Sequence, residues 1–175
     1  MGLIFGIVSL KNNTIQSEDV RTLCDAVKWD GFDDKIVVND SFALGYCWNK
    51  SRTPNAGIYT DENITLICDA RIYNKEKLLK EIDFNTPEEA FAKGYEKWGV
   101  DFASKFNGDF SVVIIDLLQQ RVLLVRDHIG VRPLCYSIKN DQLLFASHEF
   151  GIAKSNLIDI TLSEEYLIQS FHPNK

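Results

Sequence analysis

The chain has no cluster of lysine or arginine: 19 basic residues are scattered among 25 acidic ones, for a formal net charge of −6. Neutralising a phosphate backbone needs a basic face, so a general nucleic-acid binder is excluded. Cysteine is sparse. Cys24, Cys47, Cys68 and Cys135 form no CxxC pair, and His128, His148 and His172 stand at no metal-ligand spacing, so no zinc or other metal site is expected. Thiols scattered through apolar surroundings read as buried free cysteines, and they fit a reducing, cytoplasmic compartment better than an oxidising one. Long apolar runs are missing too. The opening Met1-Gly2-Leu3-Ile4-Phe5-Gly6-Ile7-Val8-Ser9-Leu10 lacks a basic n-region and is too short to cross a bilayer, so no membrane partner is expected. Myristoylation at Gly2 would need Ser or Thr at position 6, which is Gly6. No repeat or low-complexity segment appears.

What is present suits one soluble domain over 1–175. Hydrophobic residues make up 45 % and charged ones 25 % of 175 residues, enough for a sizeable core. The first ten residues read as a buried strand. Acids at Glu18 and Asp19 ahead of Val20, Leu23 and Val27 predict a helix to about Trp29. Ile36–Val38 and Ser41–Tyr46 predict a strand pair, Trp48 to Ala56 a polar loop, Ile64–Cys68 a strand and Lys75–Ile82 a short helix. Thr86-Pro87-Glu88-Glu89 carries a capping box with proline at the first helical position. Phe91, Tyr95 and Trp98 then fall on one face, which is core packing, and Gly99 ends that helix. A further short helix is expected over Val100–Phe106, and another from the cap at Thr161 through Gln169.

Asn107 to Tyr136 organises the chain. Phe110–Ile115 and Val122–Val125 are short, β-branched runs joined by a polar connection, a hairpin whose faces are both covered. Arg126-Asp127-His128-Ile129-Gly130-Val131-Arg132-Pro133-Leu134 follows as an ordered turn, with Gln142–Ser147 returning as a strand. Asp109, Arg126 and Asp127 could be taken as a catalytic charge cluster; the structural reading has them pairing to hold the turn, with His128 bonded inside it. Two sheets with helices between strand groups give an α+β, layered α/β/β/α arrangement.

The order Gly108-Asp109-Phe110, Arg126-Asp127-xx-Gly130-xx-Pro133-Leu134, then Phe145-Ala146-Ser147-xx-Glu149, resembles the N-terminal glutaminase domain of asparagine synthetases, a class II glutamine amidotransferase. Ile4-Phe5-Gly6 and Ile72-Tyr73-Asn74 resemble the stretches after that family's nucleophile and oxyanion loop. The resemblance runs along essentially the whole chain and implies the four-layer α/β/β/α sandwich of the N-terminal-nucleophile hydrolases. In that family a cysteine after Met1 attacks the glutamine amide, with its own α-amine as base. Here Gly2 holds that position and offers no nucleophile.

The resemblance places Asp69 and Ala70 where the family has its Asn-Gly oxyanion donors. A carboxylate there repels a developing oxyanion, and an alanine methyl is expected to block a close approach. The substrate-binding arginine falls near Trp48 and the acid that holds the substrate amine near Pro87, so both are lost. The catalytic set is therefore expected to be empty, while Gly108, Asp109, Arg126, Asp127, Gly130 and Pro133 remain as a structural signature.

The family's ATP-dependent synthetase domain, with its Ser-Gly-Gly-x-Asp-Ser loop, has no counterpart in this chain. ATP and Mg are expected only for that domain, fused or separate, and no cofactor is expected here. Self-association as a homodimer is left open. The chain is thus expected to be a degenerate, non-hydrolytic domain, as in β-lactam synthetases and lasso-peptide cyclases, whose parent or partner is the ligase. Two other readings stand beside it: an amidohydrolase using Cys47 or Cys68, although Asp69 beside Cys68 would raise that thiol's pKa; or a module binding a peptide or amino acid, with Trp48 and Asp69 lining a pocket suited to an amine.

Overall fold

Strand β1, Gly2–Ser9, is buried along its whole length. A strand apolar on both faces needs a cover on each, and β1 lies at the centre of a five-stranded antiparallel sheet, between β3 (Phe42–Asn49) and β9 (Gln142–Ala146). With β2 (Phe32–Val38) and β8 (Cys135–Lys139) outermost, the order is β2-β3-β1-β9-β8. A second antiparallel sheet runs β4 (Ala56–Thr60), β5 (Ile64–Ile72), β6 (Gly108–Asp116) and β7 (Arg121–Arg126). The computed structural model describes residues 2–11, 13–51, 56–159 and 161.

Alternation along the strands sorts the apolar side chains into three cores. Ile4 and Val8 of β1 meet Leu44, Ile67, Val113 and Phe145 between the sheets. Leu3, Phe5 and Ile7 point the other way, onto Val20, Leu23 and Val27 of helix α1, Ser17–Val27. On the second sheet Leu66, Cys68, Val112 and Ile114 pack beneath Phe91 and Tyr95 of α3, Pro87–Trp98, and beneath Phe102 of the 3-10 helix Gly99–Lys105. A one-turn helix α2, Lys75–Leu78, and a short α4, Glu149–Lys154, complete the two outer layers. The result is the four-layer α/β/β/α sandwich that the resemblance implies. Each of the large side chains sealed in it, such as Phe5, Phe91 and Phe145, contributes about 1.5–3 kcal/mol by leaving water.

The helix start at Thr86 forms as expected. Thr86 Oγ1 accepts from Glu89 N at 3.3 Å, Glu89 Oε2 accepts from Asn85 N at 2.7 Å, and Pro87 sits in the first turn. The aromatic stripe is core, with Phe91 and Tyr95 buried and Trp98 packed against them.

Other expectations give way. Trp48 is in strand β3 rather than in a loop, because it pairs with Gly2 across the sheet. The Lys75–Ile82 helix stops after one turn, and the segment after Gly99 is 3-10. Strands β4 and β8 and helix α4 were not evident from the apolar pattern. The helix expected from Thr161 to Gln169 lies, beyond Thr161, outside the described residues. Among the described residues no helix is long and apolar enough to cross a membrane.

Candidate functional site

Strand alternation brings three of the predicted site residues, Gly2, Trp48 and Asp69, to one place. On β5, Ile67 faces the other sheet and Asp69, two residues on, shares that face; on β6, Val113 does the same for Ser111. Asp69 and Ser111 are direct cross-strand partners. From the opposite sheet, Gly2 lies on the inter-sheet face of β1, paired with Trp48, whose ring sits 5.3 Å from that of Tyr46. Gly2, Trp48, Asp69 and Ser111 thus lie on the facing sides of the two sheets, at the end where β1 begins.

Arg132 completes the group. Its Nη1 lies 3.3 Å from Asp69 Oδ2, and the two side chains are 12 % and 3 % exposed. Burial pushes the Asp69 carboxyl above its ordinary range, against the opposing Arg132 charge and the backbone N–H of Gly2. Three polar atoms here are buried with no hydrogen-bond partner among the described residues: Asp69 Oδ1, Ser111 Oγ and Arg132 Nε. Nothing in the sequence linked Arg132 to Asp69. The sole signal was a basic residue inside an ordered turn.

That turn is built by Asp127. Its Oδ1 accepts from the backbone N–H of Ile129, Gly130 and Val131 at 3.1, 2.7 and 3.0 Å, and its Oδ2 from Arg132 and Phe110 at 3.1 and 3.3 Å. Burial alone would raise this carboxyl, but the backbone donors outweigh it and hold it below the ordinary range. Gly130 has φ +78°, where a residue with a Cβ is strained, and a Cβ there would also displace the Arg126 guanidinium, 1.8 Å away at Nη2. Arg126 Nη2 in turn donates to Gly130 O at 3.0 Å. A Cβ at Gly108 would lie 2.3 Å from Arg71 O.

The signature residues therefore act separately rather than by pairing with each other. Asp109 accepts from the Tyr73 hydroxyl, Arg126 caps the turn, and Asp127 gathers its amides. Pro133 follows half-buried, leading into β8. His128 is exposed, and the turn's hydrogen bonds come from Asp127 instead.

Two predicted positions stand apart from Asp69. The Ala70 methyl points into the helix-side core with Cys68 and Phe110, so it does not obstruct the inter-sheet face as expected. Pro87 opens α3 on that same helix side.

The thiols are elsewhere as well. Cys24 and Cys47 are in the core under α1 and Cys68 in the core under α3. Hydrogen bonding to Cys24 and burial push the Cys47 thiol up; burial, with Glu88 and Asp69, does the same to Cys68. Cys135 is half-buried on the α1 side of its sheet, and burial and Glu149 raise it. None can deliver a thiolate to the inter-sheet face. Ser111, 1 % exposed and with no base bonded to its hydroxyl, is no substitute.

Clefts of about 300 and 270 Å³ flank Arg121, at the other end of the strands. There Tyr95 OH donates to Asp116 Oδ2 at 2.5 Å and accepts from Arg121 Nη2 at 2.6 Å, a network with its needs met inside the protein.

Comparison with known proteins agrees with this geometry. Residues 1–175 match the glutamine amidotransferase domain family. Asparagine synthetase (glutamine-hydrolyzing) 2 of Bacillus subtilis is 28 % identical over 139 residues, which cover 73 % of this chain and 18 % of that protein. Asparagine synthetase (glutamine-hydrolyzing) 1 of Arabidopsis thaliana is 38 % identical over 79 residues, 42 % of this chain and 14 % of that one. The chain thus spans less than a fifth of the length of either relative. Among solved structures, the glutamine phosphoribosylpyrophosphate amidotransferase from B. subtilis, complexed with ADP and GMP, superposes with a TM-score of 0.60 at 13 % identity, covering 88 % of this chain and 43 % of that one. That likeness shows the fold, the N-terminal-nucleophile sandwich. The chain belongs to the glutamine amidotransferase domain family, in the form carried by asparagine synthetases.

Proposed function

We propose that this domain does not hydrolyse glutamine and instead serves as scaffold and interface for an asparagine-synthetase-like, ATP-dependent enzyme that forms amide bonds. The observation that carries this reading is Gly2 facing the Asp69–Arg132 ion pair. An acyl-transfer site needs a nucleophile and preorganised donors where negative charge develops. Here the nucleophile position has no side chain. The position expected to donate carries a carboxylate, and Arg132, a strong donor beside it, is already engaged by it.

The synthetase domain, fused or separate, would hold ATP and Mg and carry out the chemistry in the cytoplasm. An amine already present on its substrate would make ammonia from glutamine unnecessary. The test is to incubate the full chain with glutamine and assay glutamate. No release above a protein-free blank is expected. Release that persists in Cys47→Ala and Cys68→Ala variants would overturn the reading outright, and release lost in either variant would overturn it in favour of a thiol hydrolase.

A further inference from the structure

Helices α1 and α4 pack together over the five-stranded sheet, with Ile152 of α4 in the same core as Leu23 and Val27 of α1. The last carbonyls and first amides of a helix have no partner inside it. One side chain serves an end of each helix here. His148, the residue before α4, has its Nε2 3.2 Å from Val27 O, at the end of α1. Its Nδ1 accepts from Gly151 N, in the first turn of α4, at 3.0 Å.

Both partners are backbone groups with fixed roles. A carbonyl only accepts and an amide N–H only donates. The ring must therefore carry a proton on Nε2 and none on Nδ1, which is an uncharged imidazole. Trp29 lies stacked on it, with ring centroids 6.1 Å apart and planes 20° from parallel, and Phe32 meets Trp29 edge-on at 5.6 Å. The charged groups around the ring come from both helices. Asp25, Lys28 and Lys154 line one cleft with it, of about 340 Å³. Lys28 is paired with Asp34 of β2, and Glu149 is turned towards Cys135, 3.9 Å from its Sγ.

We propose that His148 is an acid-sensitive pin between α1 and α4. A proton taken from solvent at Nδ1 places an N–H against the Gly151 N–H. The side-chain cap of α4 is then lost, and that amide keeps only its bond to His148 O at 3.2 Å. The Nε2–H bond to Val27 O survives protonation, so the change falls on α4. Because the native arrangement takes the uncharged ring, the pin holds at higher pH and is released as pH falls and the imidazole gains its charge. This inference stands apart from the question of glutamine hydrolysis, since it concerns neither Gly2 nor Asp69.

The first test is nitrogen-15 NMR of the full chain at about pH 8, above the range in which imidazoles titrate. The ring in contact with the Trp29 indole is expected as the Nε2–H tautomer. The Nδ1–H tautomer, or a charged ring, would overturn the proposal. The second is hydrogen exchange of the Gly151–Lys154 amides at about pH 8 and about pH 5, corrected for intrinsic rates. Protection in the native chain is expected to fall roughly fivefold at the lower pH, the effect of losing one helix cap. His148→Asn keeps an uncharged cap at either pH, and its protection should not change. Unchanged protection in the native chain overturns the proposal. An equal fall in His148→Asn also overturns it, in favour of the neighbouring carboxylates. Should His148→Asn fail to fold, the tautomer and the pH response of the native chain still decide.

Discussion

Two aspartates are buried, one within β5 and one just past the end of β7, and they are held in opposite ways. Asp127 is 4 % exposed and accepts five backbone hydrogen bonds, which keep it ionised to lower pH than usual. Asp69 is 2 % exposed and pairs with Arg132, its Oδ1 has no hydrogen-bond partner among the described residues, and burial shifts it the other way. The first carboxylate is part of the chain's own folding. Four of its partners are amides of a single turn, and the fifth is the amide of Phe110 on β6. The second depends on one side chain from a distant loop. The carboxylate that builds the turn is used on both oxygens, and the Asp69 end of the inter-sheet space is left with polar atoms that have no partner among the described residues.

The comparison breaks first at Asp127. Asp127→Ala would strand several amide donors in or near the core, and a loss of about 3–4 kcal/mol is expected, read as a drop in the urea midpoint. A loss under about 1 kcal/mol would show that water replaces the carboxylate and that the turn is not its work.

The Asp69–Arg132 pair should behave as a coupled unit. Asp69→Leu alone leaves Arg132 buried without its partner and should cost about 3 kcal/mol. The double variant Asp69→Leu/Arg132→Met should return to within about 1 kcal/mol of the native chain. Additive losses in the cycle would mean that the two side chains act independently.

The smallest effect is a change of slope with pH, and the two carboxyls contribute with opposite sign. Asp127, held low, gives stability that is present above the ordinary value of 3.8 and lost as pH falls through its folded value. Asp69, held high, imposes a cost that is complete above its raised value, shrinks as pH falls and vanishes below 3.8. Asp69→Asn removes the term that favours the fold on acidification. The variant should therefore lose more stability than the native chain between about pH 7 and pH 4, measured as the shift in urea midpoint. Parallel profiles would place the Asp69 carboxyl at an ordinary pKa.

The turn was legible in the sequence because its chemistry is local: Asp127, Gly130 and Pro133 are punctuation that works within a few residues. The first strand and the central hairpin were legible because apolar runs announce themselves. Trp48 was misplaced because Asn49 and Lys50 look like loop, and only the pairing with Gly2 draws the residue into β3. Strand β8 was missed because an edge strand need not hide its apolar residues, and Tyr136 and Ile138 do not. At the candidate site, Gly2 and Asp69 stood out only against a family resemblance. Arg132 did not stand out at all, since an ion pair between a strand and a distant turn leaves no spacing to read.

The position of β1 has a consequence for how the chain is made. A strand formed from the first nine residues is flanked on one side by β3 and on the other by residues 142–146. During synthesis at about 5–20 residues per second, its second neighbour emerges on the order of ten seconds after the strand itself. For that interval an apolar strand has one edge unsatisfied, and the sheet cannot close until nearly all of the domain has left the ribosome. Closing so long a loop also makes the final pairing slow. The vulnerable species for this protein is thus a growing chain with β1 and β3 formed and β9 still missing, and substitutions that weaken β9 should reduce soluble yield before they affect the stability of molecules that have already folded.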